Sequence, residues 1–196
     1  MHTTHLLYLH GFRSSPQSTK AKRLAEWLVT TYPDVVWACP ALEASPTSAM
    51  AQIAHLVADW PPTTSAVMGS SLGGLYASFI AHARGWPSVV INPAVTPWLH
   101  GDRLVGTYPM WHDPTQTMTF SQDDLAALQG LALAACDVPT NTLAIVAKGD
   151  EVLDWREMAQ HYEAADLRLL EGGDHALSDF EPWLAHIAAF LSLKST

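Results

Sequence analysis

The residues Gly69-Ser70-Ser71-Leu72-Gly73 have the Gly-x-Ser-x-Gly form that presents a serine hydroxyl for attack on an acyl carbon. The turn is so tight that the positions two before and two after the nucleophile must be small, as Gly69 and Gly73 are. This register selects Ser71 and puts Ser70 at the variable position. A serine needs a general base, and the base needs a carboxylate to hold its tautomer. Asp150 in Gly149-Asp150-Glu151-Val152-Leu153 and His175 in Glu171-Gly172-Gly173-Asp174-His175 supply both, in the chain order serine, acid, histidine. Asp154 is the alternative acid, although it stands where a helix N-cap would stand. An acyl transfer also needs donors for the oxyanion, each typically worth about 3–4 kcal/mol. The backbone N–H groups of Phe12, in His10-Gly11-Phe12, and of Leu72, next after the nucleophile, are the candidates. His10 reads as an orienting residue of that loop rather than an acid or base.

These residues must be brought to one edge by the elements between them. Short apolar runs predict strands near His5–Leu9, Val35–Ala38, Ala66–Met68, Ser88–Ile91, Thr142–Ala147 and Leu167–Leu170. Helical periodicity predicts helices over Ala21–Thr31, Thr47–Trp60, Leu72–Ala83, about Trp155–Ala164 and about Asp179–Leu193, and one near Ser121–Ala135. Ser178 with Glu181, and Asp154 with Glu157, resemble capping boxes. Strands alternating with helices imply right-handed crossovers and a three-layer α/β fold, with a mainly parallel sheet of about six strands covered on both faces. Ser71, Asp150 and His175 would then follow strands, at the carboxyl edge where ligands gather in open α/β sheets. The expectation is a single domain over 1–196 with a cap or loop insertion at about 93–141, where five prolines fall between Asn92 and Asn141.

Composition narrows the function classes. With 48% hydrophobic and 15% charged residues the chain fits a globular enzyme rather than a disordered segment. A net charge of −9 argues against nucleic acid and anionic membranes as partners. No signal-like leader and no run near the ~20 apolar residues of a membrane helix stands out. The expected location is therefore cytoplasmic. Cys39 and Cys136 read as small buried hydrophobes. A metal set from His100, Asp102, His112 and Asp113 is conceivable, but loop composition accounts for these residues. No metal and no cofactor is expected.

Taken together, HGFRSSP at 10–16, GSSLGG at 69–74, NPAVTP at 92–97, GDEVLD at 149–154 and GGDH at 172–175 resemble the YqiA-like esterase family of small bacterial α/β hydrolases. The resemblance covers nearly the whole chain and is weakest over Leu99–Phe120. It implies an α/β-hydrolase fold, serine esterase activity on acyl esters or thioesters, and no cofactor. It places the nucleophile on Ser71, the acid on Asp150 and the base on His175.

Trp98, Tyr108, Met110 and Trp111 make the insertion apolar for a loop. They either line an acyl pocket above Ser71 or bury the loop against its own domain. So short a chain leaves little room for a large lid, which predicts an open, shallow site for short to medium acyl groups. A C–C hydrolase, a lyase or a peptidase on the same triad, and a non-catalytic binding protein of this fold, are the alternatives.

Overall fold

In the computed structural model, which describes residues 2–194, the six apolar runs become β1 (His5–Leu9), β2 (Val36–Ala38), β3 (Ser65–Ser70), β4 (Ser88–Ile91), β7 (Thr142–Ala147) and β8 (Asp166–Leu170). They form one parallel sheet in the order β2-β1-β3-β4-β7-β8. Every residue of β3, β4 and β7 is buried, which is why these strands read as unbroken apolar runs rather than alternating ones. On one face, α1 (Thr19–Thr31) and α7 (Leu184–Phe190) pack Leu24, Leu28 and Ile187 against Leu6, Tyr8, Ala66 and Ile145. On the other, α2 (Pro46–Leu56) and α3 (Leu72–Arg84) pack Ile53, Leu75 and Ile80 against Leu7, Leu9, Val67 and Val90. Between β7 and β8 runs α6 (Trp155–His161).

The segment between β4 and β7 holds more structure than its composition announces. After a 3-10 turn at Pro97–His100 come α4 (Gly101–Leu104), β5 (Gly106–Pro109), β6 (Thr117–Phe120) and α5 (Gln122–Gly130). The strands β5 and β6 form an antiparallel hairpin pairing Tyr108 with Met118. Phe120 is fully buried, and Phe12 meets Tyr108 and Phe120 edge-on at 5.5 and 5.6 Å.

Four local expectations are corrected. The last helix does not span 179–193: Pro182 confines Glu181–Trp183 to a 3-10 turn, and the α-helix proper starts at Leu184. Ser178 is no cap, because its N–H and hydroxyl both bond the Asp174 carboxylate. Asp154 does cap α6, but Glu157 accepts from Thr96 instead of closing a capping box. Cys136 is exposed rather than buried. Among the described residues, no helix is long and apolar enough to cross a membrane.

Candidate active site

The junction of β3 and α3 carries the backbone strain that the elbow motif demands. Ser71 sits at φ 55° and ψ −125°, a region that costs a non-glycine residue on the order of 1–3 kcal/mol. Three backbone bonds hold it there. Its N–H donates to the Ile91 carbonyl at 3.0 Å, and its carbonyl accepts from Gly74 and Ala94 at 2.9 and 3.0 Å.

From this turn the Ser71 hydroxyl lies 3.0 Å from His175 Nε2, and His175 Nδ1 lies 2.7 Å from Asp150 Oδ2. With Nδ1–H donating to the carboxylate, Nε2 is left as the acceptor facing the serine. The Asp150 side chain is wholly buried. Its second oxygen accepts from the N–H groups of Val152 and Leu153, both at 2.8 Å. Asp154 is occupied elsewhere as the cap of α6, where it accepts from Arg156 N–H at 2.9 Å. Ser70 is buried and its hydroxyl accepts from Lys20 Nζ at 3.0 Å, so the two adjacent serines face different partners.

The loop after β1 closes over the serine. A methyl group at Gly11 would lie 3.1 Å from Ser71 Cβ and 3.5 Å from its hydroxyl oxygen. The Phe12 N–H belongs to this loop, and the Leu72 N–H to the first residue of α3, next after the serine. Among the described residues, neither N–H donates to an acceptor within the protein. His10 anchors the loop: its Nδ1–H donates to the Gly11 carbonyl at 3.0 Å and its Nε2 accepts from Leu42 N–H at 3.1 Å. The bond accepted by Nε2 requires the neutral ring, and burial lowers the His10 pKa, against the bond to the Gly11 carbonyl, which raises it.

Sequence reasoning left Asn92 without a role. It is fully buried at φ 41°, and its amide nitrogen donates to the Asp174 and His175 carbonyls, each at 3.0 Å. Its amide oxygen accepts from Ala147 N–H at 2.8 Å. One side chain thus ties the histidine loop to the end of β7, from which the Asp150 turn departs. Glu151 adds a second tie by accepting from the His175 N–H at 3.0 Å.

A cavity of about 750 Å³ opens beside Ser71 and His175, and Tyr108 and Trp111 line it. Met110 lines a separate cavity of about 50 Å³ with Phe12, Leu72 and Met118. Trp98 borders neither and packs against the core. The side chains of His100 and Asp102 lie outside the described residues. Asp113 accepts from Thr115 and Gln116, and among the described residues no group of three His, Cys, Asp or Glu is placed to hold a metal.

The model of the uncharacterised protein family UPF0227 matches residues 5–192. The chain belongs to this family. UPF0227 is the YqiA-like family that the five motifs resemble. Its fold here is that of the α/β hydrolases. The structure of α/β hydrolase domain-containing protein 10 from mouse superposes with a TM-score of 0.73 at 14% identity, covering 98% of this chain and 91% of that one. Est1E from Butyrivibrio proteoclasticus, solved with ferulic acid bound, gives 0.74 at 14% identity, with 97% and 89% covered. A structure of the metagenome-derived lipolytic enzymes LipS and LipT gives 0.72 at 18% identity, with 98% and 95% covered. Likeness at these identities belongs to the fold, so the UPF0227 chain's chemistry must be argued from its own site.

Proposed function

We propose that this UPF0227 chain is a serine hydrolase of carboxylic esters or thioesters with short to medium acyl chains. The observation that carries the reading is the unbroken relay Asp150–His175–Ser71, with its imidazole acceptor turned to a hydroxyl held on a strained elbow. His175 takes the Ser71 proton as the oxygen attacks the acyl carbon, and the Phe12 and Leu72 N–H groups receive the oxyanion. His175 then protonates the leaving alcohol or thiol. Water, deprotonated by the same ring, releases the acid and restores Ser71. Asp150 stays ionised and stabilises the imidazolium. No step calls for a cofactor.

Tyr108 and Trp111 are the proposed walls of the acyl site, whereas Met110 faces the smaller cavity and Trp98 the core. The segment between β4 and β7 adds only the short elements α4, β5, β6 and α5 rather than a large lid, which favours acyl groups of modest length. The lipolytic activity named for LipS and LipT is in line with ester chemistry on this fold.

A serine-directed fluorophosphonate is expected to label the protein once, on Ser71, with loss of ester hydrolysis. Ser71→Ala removes the label, whereas Ser70→Ala keeps it. Mass spectrometry of the labelled peptide checks the assignment, and labelling that survives Ser71→Ala refutes it.

Asn92→Ala would leave the Ala147 N–H and two carbonyls without their partner, and a buried polar group left so costs about 1–3 kcal/mol. Denaturant unfolding should show a loss of that size. The freed histidine loop should also lower kcat roughly 10–100-fold, because small misplacement of a reacting group is costly. Wild-type turnover in a destabilised Asn92→Ala would limit its role to folding.

A further inference from the structure

The cavity beside Ser71 has a charge opposite to that of the whole chain. The protein carries ten Lys and Arg against nineteen Asp and Glu, yet Arg13, Lys20, Arg23 and Arg103 all line this one cavity. No Asp or Glu is among its described lining residues. We propose that the substrate carries an anionic group, a carboxylate or a phosphate, held in this cavity chiefly by Lys20 and Arg103 with Arg13 beside them. The inference rests on the hydrolase reading of Ser71 and adds the class of substrate.

Lys20, Arg13 and Arg103 sit where the charge has a cost or is left available. Lys20, Lys22 and Arg23 occupy the start of α1, whose first turn contains no acid. That is the reverse of what a helix dipole favours, and an anion bound there would offset it. Lys20 is partly buried and, among the described residues, hydrogen-bonds only the neutral Ser70 hydroxyl. Burial lowers its pKa to about 8 despite the opposing pull of Asp174 and Asp150. A buried ammonium of this kind gains when a ligand brings the missing charge.

Arg13 lies 3.8 Å from the Trp111 ring centroid, its Nε donates to the Pro109 carbonyl, and no carboxylate bonds it among the described residues. The same holds for Arg103, whose carbonyl accepts from the Tyr108 hydroxyl at 3.1 Å. Arg23 is already paired with Glu181 and contributes least. The nearby acids are committed: Asp150 to His175, Asp174 to Ser178, and Glu151 to the His175 N–H.

Two matched ester pairs test this. In one, the 4-nitrophenyl monoester of adipic acid is compared with 4-nitrophenyl hexanoate. In the other, the hexanoyl ester of hydroquinone monophosphate is compared with that of hydroquinone. A charge-assisted hydrogen bond predicts a kcat/KM at least about 10-fold higher for the charged member of one pair. Preference in the first pair puts the anion on the acyl side as a carboxylate. Preference in the second puts it on the leaving group as a phosphate. The preference should shrink toward unity in Lys20→Gln, in Arg103→Gln and in salt of about 0.5 M, and persist in the remote Arg84→Gln. Equal or better turnover of both neutral esters overturns the inference while leaving the hydrolase reading intact.

If no ester turns over and the fluorophosphonate labels nothing, the hydrolase reading fails by itself. Calorimetric binding of the monoanilide of adipic acid against hexananilide then decides the anion site. Equal binding of the two overturns it, and tighter binding of the charged anilide, lost in Lys20→Gln, upholds it.

Discussion

Asp150→Asn is expected to lower kcat for ester hydrolysis by on the order of 10⁴ while leaving the protein folded, a loss of the size known for the same change in serine triads. The argument comes from the carboxylate's own partners. Its Oδ1 accepts from the backbone N–H groups of Val152 and Leu153 at 2.8 Å, so an asparagine must turn its carbonyl oxygen to them. Its NH₂ group then faces His175 Nδ1. That nitrogen must become the acceptor, the ring proton moves to Nε2, and Nε2 confronts the Ser71 hydroxyl as a donor instead of a base. Because both backbone bonds survive, the thermal midpoint should shift by only a few degrees. Asp150→Ala is less informative, since it would strand two N–H groups in a fully buried position. The measurement is kcat under saturating ester alongside a melting curve. Turnover within tenfold of wild type would place the triad acid elsewhere, and Asp154, bound to the first turn of α6, would have to leave its cap to serve.

What could be read from the chain, and what could not, follows from how local the cause is. The sheet was legible because β3, β4 and β7 are buried at every position, so their apolar runs carry no interruptions. Ser71, Asp150 and His175 were legible because each follows a strand, and parallel strands deliver their carboxyl ends to one edge. The hairpin of β5 and β6 was not. Gly106-Thr-Tyr-Pro and Thr117-Met-Thr-Phe are too short for alternation to stand out, and the hairpin is held from outside by Phe12 meeting Tyr108 and Phe120 edge-on. Trp111 N–H also donates to the Arg13 carbonyl, tying the hairpin to the loop after β1. Asn92 was hidden because its side-chain partners lie 55 to 83 residues downstream. Nothing in the local sequence marks Lys20, because only the fold sets it beside Ser70 and the cavity.

Gly73→Ala is expected to cost more than about 4 kcal/mol of stability, a range that marks a gross steric fault. Its new Cβ would lie 2.0 Å from the Leu9 carbonyl oxygen and 2.6 Å from that of His10. Both are backbone atoms at the end of β1, so no rotamer change relieves the overlap. The chain must move α3 away from β1, and the cost falls on both sides of the site at once. The Leu72 N–H rides on the first turn of α3, whereas the Phe12 N–H is two residues beyond His10. In the proposed mechanism these two donors hold the oxyanion, each worth roughly 10²–10³ in rate, and separating them would open the gap between them. Any protein that does fold should therefore have lost at least about 10³-fold in kcat. Gly130→Ala is the matched control, since a methyl group there meets nothing within 4 Å and no positive φ constrains the residue. Soluble yield, denaturant midpoint and ester turnover of the two variants decide the matter. A folded Gly73→Ala with activity within threefold of wild type would mean that the β1–α3 contact is not what brings the two donors together.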